Sequence, residues 1–91
     1  MICLGVESTA HTFSCAVLNK NGKRGEILSD VRKIYGPPKG EGIHPREASR
    51  HHVENGSTVL VEALQKAKIS VTDLDIISYA AGPGLGPCLR V

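Results

Sequence analysis

Residues 2–18 read ICLGVESTAHTFSCAVL. Two short apolar runs, Ile2–Val6 and Phe13–Leu18, flank a polar stretch, Glu7–Thr12, that carries a carboxylate and several hydroxyl groups. Apolar runs of this length that are rich in β-branched and aromatic residues and bounded by polar residues are typical of strands. The stretch therefore predicts a strand, a tight polar turn and a second strand at the start of a sheet.

The next segments predict a hairpin and a loop. Asn19–Lys23 predicts a turn, in which Asn21-Gly22 suits the positive φ of a hairpin tip. Glu26–Tyr35 predicts a third strand, and its imperfect alternation of apolar and polar residues predicts a β-bulge. Gly36–Gly42 is too rich in glycine and proline to continue a strand and predicts a loop.

A helix is predicted from Pro45 to Lys68. Pro45 fits the first turn, where the missing N–H costs nothing, and Glu47 suits the positive end of the helix dipole. One helical face is predicted to pack on the sheet; it holds Val53, Ser57, Leu60, Val61, Leu64 and Lys68. Val59 and Ala63 lie on another face and are the predicted partner interface.

Asp75–Ala81 predicts a fourth strand that is apolar on both faces, and such strands are usually central in a sheet. The order of strand, strand, strand, helix and strand predicts an α/β fold. Its sheet would open with an antiparallel β-meander, followed by the helix and a further strand.

Composition limits the function classes. The chain has 91 residues, a net charge of +2 and 3% aromatic residues. This charge is too small to indicate a nucleic-acid surface by itself. The three cysteines form no CxxC motif, and no apolar run reaches the length that spans a membrane. These features favour a cytoplasmic protein with reduced thiols.

The polar turn Glu7–Thr12 is the first candidate for chemistry. Backbone N–H groups and the hydroxyls of Ser8, Thr9 and Thr12 can be aimed at phosphate oxygens, and Glu7 can meet a metal or a polarised water. An ordinary polar turn between two strands is the alternative interpretation.

The segment Gly82-Pro83-Gly84-Leu85-Gly86-Pro87 is the second candidate. Glycine has no Cβ, so Gly82 and Gly84 allow a ligand or another strand to approach the backbone. Pro87 is suited to the first turn of a helix whose N-terminus would face anions. No Gly-Lys-Ser/Thr follows, so the segment is not a Walker A motif, and a plain tight turn is the alternative.

The remaining candidates are histidines and lysines. His51 and His52 point about 100° apart on a helix and cannot chelate one ion together, so a surface or interface role is predicted for them. His11 lies in the polar turn and is predicted as a neighbour of a ligand. A further group of cations, Lys20, Lys23 and Arg24, predicts a solvated hairpin tip that can contact phosphate.

Three segments together resemble a known family. They are MICLGVESTAHT (1–12), GIHPREASRHH (42–52) and SYAAGPGLGPCLRV (78–91). In this order and spacing they are similar to the N-terminus of the threonylcarbamoyl-adenosine tRNA-modifying enzymes. The form resembled is the archaeal and eukaryotic one, the catalytic subunit of the KEOPS complex, formerly called O-sialoglycoprotein endopeptidase. Ser8 stands where that form usually has Gly, and Cys88 where Ser is usual.

The resemblance implies an actin-like, sugar-kinase-like (ASKHA) fold of two lobes with a nucleotide in the cleft between them. It implies transfer of a threonylcarbamoyl group from its adenylate to N6 of adenosine 37 in tRNAs that read ANN codons. The residues expected on the phosphate side of the cleft are Glu7, Ser8, Thr9, Thr12, Gly82 and Gly84. No catalytic residue and no metal ligand is expected in this chain.

The implied cofactors are one divalent metal (iron, zinc or magnesium) and ATP or threonylcarbamoyl-adenylate. The implied partners are tRNA and the KEOPS dimerisation and kinase subunits, with no membrane. The family's HxxxH metal motif, its Ser-Gly-Gly nucleotide loop and a distal aspartate have no counterpart in the sequence. We therefore expect residues 1–91 to be an incomplete first lobe of an ASKHA-type ATPase or transferase domain that is inactive alone.

Two alternatives stay open. The chain can be a non-catalytic interaction segment that binds KEOPS partner subunits, because the first-lobe helices of the family contact a small dimerisation subunit. It can also belong to a sugar- or acetate-kinase-like phosphotransferase of the same fold. Those enzymes usually carry Asp with Gly and Thr in the first hairpin, where this chain has Glu7-Ser8-Thr9.

Overall fold

A computed structural model describes residues 1–37, 39–40 and 42–91. Its elements are β1 (Ile2–Glu7), β2 (Thr12–Asn21), β3 (Arg24–Ile34), α1 (Pro45–Ala67), a 3₁₀ turn (Val71–Asp73), β4 (Ile76–Tyr79) and α2 (Gly86–Leu89). Pro38 and Glu41 of the predicted loop lie outside the described residues. The predicted order of elements is confirmed, and the fold is α/β with a mixed sheet.

The strands form one sheet in the order β3-β2-β1-β4. The first three strands are an antiparallel meander, whereas β4 pairs with β1 in parallel. A two-residue loop joins β2 to β3 between the paired residues Asn21 and Arg24, and Gly22 takes a φ of 62° there. Val17 pairs with Ser29 and Leu18 pairs with Ile27, so β3 carries one extra residue between them. This confirms the predicted bulge.

The core lies between one face of the sheet and α1. Its buried residues are Leu4, Phe13, Cys15, Val17 and Val31 from the strands, together with Val59 and Ala63 from the helix. Ser29 ties the two layers together, because its hydroxyl donates to the carbonyl oxygen of Ala63 at 2.7 Å.

The predicted orientation of α1 is partly wrong: Leu60 and Leu64 pack against the core as predicted, but Val53 and Val61 do not. Val59 is 2% exposed and Ala63 is fully buried, whereas Val53 is 65% and Val61 50% exposed. The reason is the close approach of the helix to the sheet, which selects small residues: a Cβ on Gly56 would lie 3.2 Å from Cζ of Phe13. Val59 and Ala63 therefore belong to the core and cannot form the predicted partner interface.

The predicted central position of β4 is also wrong within this chain. The strand lies at the edge of the sheet, and each of its residues is exposed. Helix α1 packs over β2 and β3, which leaves the residues of β4 exposed.

Candidate functional site

The sheet topology brings the two candidate segments to one edge. Because β1 and β4 are parallel neighbours, the segments that follow them leave the sheet on the same side. These segments are the polar turn after Glu7 and the glycine-rich segment after Tyr79. In α/β proteins ligands bind beyond the carboxyl ends of parallel strands. This edge is therefore the candidate site.

The carboxylate of Glu7 stabilises the polar turn by hydrogen bonds. One carboxylate oxygen of Glu7, Oε1, accepts hydrogen bonds from the backbone N–H of Thr9 at 2.8 Å and from the Thr9 hydroxyl. The Ser8 hydroxyl donates to the carbonyl oxygen of Cys88 at 3.2 Å. Both hydroxyl hydrogens are thus donated within the protein, and these bonds must exchange before either hydroxyl can donate to a phosphate.

Thr9 and Gly84 join the polar turn to the glycine-rich segment. The N–H of Leu85 donates to the carbonyl oxygen of Thr9 at 2.6 Å. A Cβ on Gly84 would lie 2.4 Å from that oxygen, which is closer than real side chains come. The sequence predicted a close approach at this glycine, and the structure identifies the Thr9 backbone as the neighbour.

The remaining predicted residues, Thr12, Gly82 and His11, take no part in the contact between Thr9 and Gly84. Thr12 is half-buried, begins β2 and pairs with Ile34. Gly82 follows β4 and has open space where a side chain would lie. His11 is exposed, and its carbonyl oxygen accepts the N–H of Tyr35 at 2.6 Å.

The sequence predicted a surface or interface role for His52, and the surface position is wrong. His52 is fully buried, and its Nε2 lies 2.6 Å from the carbonyl oxygen of Ala10 in the polar turn. A carbonyl can only accept, so Nε2–H of His52 is the donor. Nδ1 of His52 lies 3.2 Å from Nδ1 of His51. The sequence feature that could have indicated the burial of His52 is its helical spacing, which places it on one face of α1 with the buried Ala48, Val59 and Ala63.

His51 has a lowered pKa. Partial burial is the main cause, and the neighbouring His52 lowers the pKa further, whereas Glu54 opposes the shift. The ring of His51 also contacts Tyr35, with the two ring centroids 5.8 Å apart. The pair His51-His52 is therefore a hydrogen-bonded link from the surface of α1 to the polar turn.

Helix α2 closes the site from the other side. The Ser49 hydroxyl donates to the carbonyl oxygen of Pro87 at 3.1 Å, which ties α2 to the start of α1. Cys88 is fully buried, and burial raises the pKa of its thiol, with a smaller contribution from the carboxylate of Glu7. Cys88 is thus a neutral packing residue at neutral pH.

A groove of about 650 Å³ lies between these elements. Its walls include Ser8, His52, Gly56 and Tyr79, together with the apolar Val53 and Leu89. Among residues 1–37, 39–40 and 42–91, no group of three or more His, Cys, Asp or Glu side chains is arranged to hold a metal ion. No helix in this described part of the chain is long and apolar enough to cross a membrane.

Comparison with solved structures supports the fold. YeaZ from Pseudomonas aeruginosa superposes with a TM-score of 0.69 at 17% sequence identity. The match covers 99% of this chain and 35% of the YeaZ chain. At this identity the likeness concerns the fold alone.

Comparison of sequences identifies relatives. The chain is 50% identical over 91 residues to a tRNA N6-adenosine threonylcarbamoyltransferase from Pyrobaculum islandicum. It is 46% identical over 91 residues to a probable bifunctional tRNA threonylcarbamoyladenosine biosynthesis protein from Thermoplasma volcanium. All of this chain is covered, but it spans only 26% and 16% of the two relatives. The family model of TsaD, tRNA N6-adenosine threonylcarbamoyltransferase, matches residues 26–91, and the chain therefore belongs to this family.

Proposed function

We propose that residues 1–91 form the N-terminal part of an enzyme that transfers threonylcarbamoyl from threonylcarbamoyl-adenylate to N6 of adenosine 37 in ANN-decoding tRNAs. The observation that carries this proposal is the 50% identity over the whole chain to a relative that bears the activity in its name. The parallel pairing of β1 with β4 supports it, because the pairing gathers both candidate segments at one edge.

Within this enzyme the chain would be an incomplete first lobe of an ASKHA-type domain. The polar turn and the glycine-rich segment would face the phosphate side of the inter-lobe cleft, with Glu7, Ser8, Thr9, Thr12, Gly82 and Gly84 at that surface. The internal bonds of Glu7 and Thr9 would hold the turn in a fixed shape, and the Thr9 hydroxyl would exchange its bond to Glu7 before it donates to a phosphate. ATP or threonylcarbamoyl-adenylate would be the nucleotide, tRNA the substrate and the cytoplasm the compartment.

The family resemblance implies a divalent metal and places none of its ligands in residues 1–91. The described residues contain no metal-ligating group of three or more side chains. We therefore assign no ligand of iron, zinc or magnesium to residues 1–91 and derive no step through a metal.

The experiment is a segment exchange. Residues 1–91 replace the 91 residues that they match in the Pyrobaculum islandicum relative, and we call the product the chimera. It is incubated with threonine, bicarbonate, ATP, the adenylate-forming synthase and unmodified tRNA, under conditions in which the unaltered relative is active. The tRNA is then digested and analysed for threonylcarbamoyladenosine. We expect product; a folded chimera without product, beside an active relative, contradicts the proposal.

The proposal also includes contact with the KEOPS partner subunits. Since Val59 and Ala63 are buried, a contact with the dimerisation subunit would use the exposed face of α1, which presents Val53 and Val61. We expect the paired change Val53→Asp and Val61→Asp to weaken capture of that subunit by the chimera, with Glu54→Gln as the control on the same helix. Unchanged capture by the double variant contradicts this contact. No contact is assigned to the kinase subunit.

A further inference from the structure

We propose that the tip of the β2–β3 hairpin binds the phosphate backbone of the RNA substrate, an inference that rests on the proposed function. The basic hairpin tip consists of Lys20, Lys23 and Arg24, and all three residues are exposed. The whole chain carries a net charge of only +2, so this segment concentrates positive charge at one end of the sheet. Such a cluster attracts polyanions.

The cations of the basic hairpin tip contrast with three other cations, which are held in ion pairs. Arg32 pairs with Asp30 at 2.8 Å and Lys66 with Glu62 at 3.3 Å, and Arg50 pairs with Glu47. Within residues 1–37, 39–40 and 42–91, none of the three tip residues takes part in an ion pair. Their charges are therefore available to an anion from outside.

The backbone places these cations at the end of the hairpin, with Lys20 on the opposite face of the ladder from Arg24. Asn21 pairs with Arg24 and Lys20 with Gly25, so the cations lie at or beside the last rungs of a long antiparallel ladder. A groove of about 290 Å³ lies beside them, lined by Asn19, Asn21, Arg24, Gly25 and Glu26. Amide and guanidinium N–H groups are donors suited to phosphate oxygens, and Glu26 is the one acid in the groove.

The position of the tip indicates binding rather than chemistry. Along β2 it lies about 30 Å from Thr12, at the opposite end of the strand from the candidate site. A folded tRNA extends well beyond this distance. Contacts to the phosphate backbone fix the position of a nucleic acid and carry no sequence information. The tip would therefore contribute to tRNA affinity and leave the chemical step unchanged.

The test measures the dissociation constant of the chimera for unmodified tRNA across salt concentrations. The variant carries Lys20→Gln, Lys23→Gln and Arg24→Gln. If each cation neutralises one phosphate, the slope of log affinity against log salt becomes shallower by about 2 to 3. Between 50 and 200 mM salt the affinity of the unaltered chimera would then fall by a factor about 15 to 60 times larger than that of the variant. The rate at saturating tRNA should not change.

The control variant carries Arg32→Gln, Arg50→Gln and Lys66→Gln, which removes the same charge from cations held in ion pairs. We expect it to keep most of the salt dependence. A tip variant whose affinity and slope equal those of the chimera, or of the control variant, overturns the inference. A chimera that neither binds nor modifies tRNA contradicts the proposed function instead. A second tip variant, Lys20→Arg with Lys23→Arg, keeps the charge and should bind as the chimera does.

Discussion

The Nε2 atom of the buried His52 lies 2.6 Å from the carbonyl oxygen of Ala10 and joins the middle of α1 to the polar turn. The two residues are 42 positions apart in the sequence. Loss of the donor to this partly buried carbonyl is costly, so the bond fixes the position of the turn. His52 thus acts on the candidate site through the backbone of the turn and not by contact with a ligand.

Replacement of His52 by Ala should destabilise the chimera. The change removes the donor to Ala10 and leaves a cavity beside Phe13, whose ring centroid lies 5.8 Å from that of His52. We expect a loss of about 2–4 kcal/mol in the free energy of unfolding. Denaturant unfolding measures this loss, and hydrogen exchange at residues 8–11 should accelerate. The control is His51→Ala, which leaves the Ala10 bond in place; an equal loss in both variants contradicts the prediction.

The lowered pKa of His51 predicts a dependence of stability on pH. Its usual value is 6.5, and the folded state lowers it by burial and by repulsion from His52. As pH falls through 6.5 the unfolded chain binds the proton before the folded one, so stability falls. The loss ends once pH is below the pKa of the folded state. Melting temperatures of the chimera and of a His51→Gln variant between pH 8 and 5 measure this effect. A variant with the same pH profile as the chimera contradicts it.

Gly84 is predicted to tolerate no side chain. A Cβ there would lie 2.4 Å from the carbonyl oxygen and 2.7 Å from Cβ of Thr9, so the backbone would have to move. We expect Gly84→Ala to cost about 1–3 kcal/mol and to weaken the Leu85–Thr9 hydrogen bond. Gly86→Ala is the matched control, because nothing lies within 4 Å of a Cβ at that position. Thermal unfolding of both variants tests this prediction: the melting temperature of Gly84→Ala should be the lower one, and equal melting temperatures would refute the predicted contact.

The two valines of α1 test its corrected orientation. Val59 is 2% exposed, whereas Val53 is 65% exposed. Val59→Ala should therefore cost about 1–2 kcal/mol of unfolding free energy by leaving a cavity, and Val53→Ala should change it by less than about 0.5 kcal/mol. Denaturant unfolding of the two chimera variants gives both numbers. The reverse ranking would support the orientation that the sequence predicted.

The sequence predicted the elements better than their contacts. The apolar runs and turn residues were enough to place the strands, the helix and the bulge, because these depend on local patterns. The orientation of α1 depends on small residues such as Gly56 and Ala63, which give little hydrophobic signal although the close approach of the helix to the sheet requires them. The bond between His52 and Ala10 depends on tertiary packing, so a pair of adjacent histidines indicated only a surface role.

The candidate site was predicted in part. Both of its segments were identified from their residue types, and the glycine without room for a side chain was expected at Gly82 or Gly84. The sequence did not indicate that Thr9 is the neighbour of Gly84, because this contact follows from the parallel pairing of β1 with β4. Nor did it indicate that Glu7 accepts the Thr9 hydroxyl, since that bond depends on the shape of the turn.

The free edge of β4 predicts self-association of the 91-residue chain when it is made alone. Ile77 and Tyr79 are 65% and 74% exposed on a strand whose outer edge pairs with no other strand in the described part of the chain. Exposed apolar edge strands pair with other chains, and natural proteins prevent this with charged residues such as lysine. We expect the chain to elute as dimers or larger species in size-exclusion chromatography with light scattering. An Ile77→Lys, Tyr79→Lys variant should shift it toward the monomer, whereas Lys66→Gln on α1 should not. A monomeric unaltered chain at high micromolar concentration would show that the edge is protected in another way.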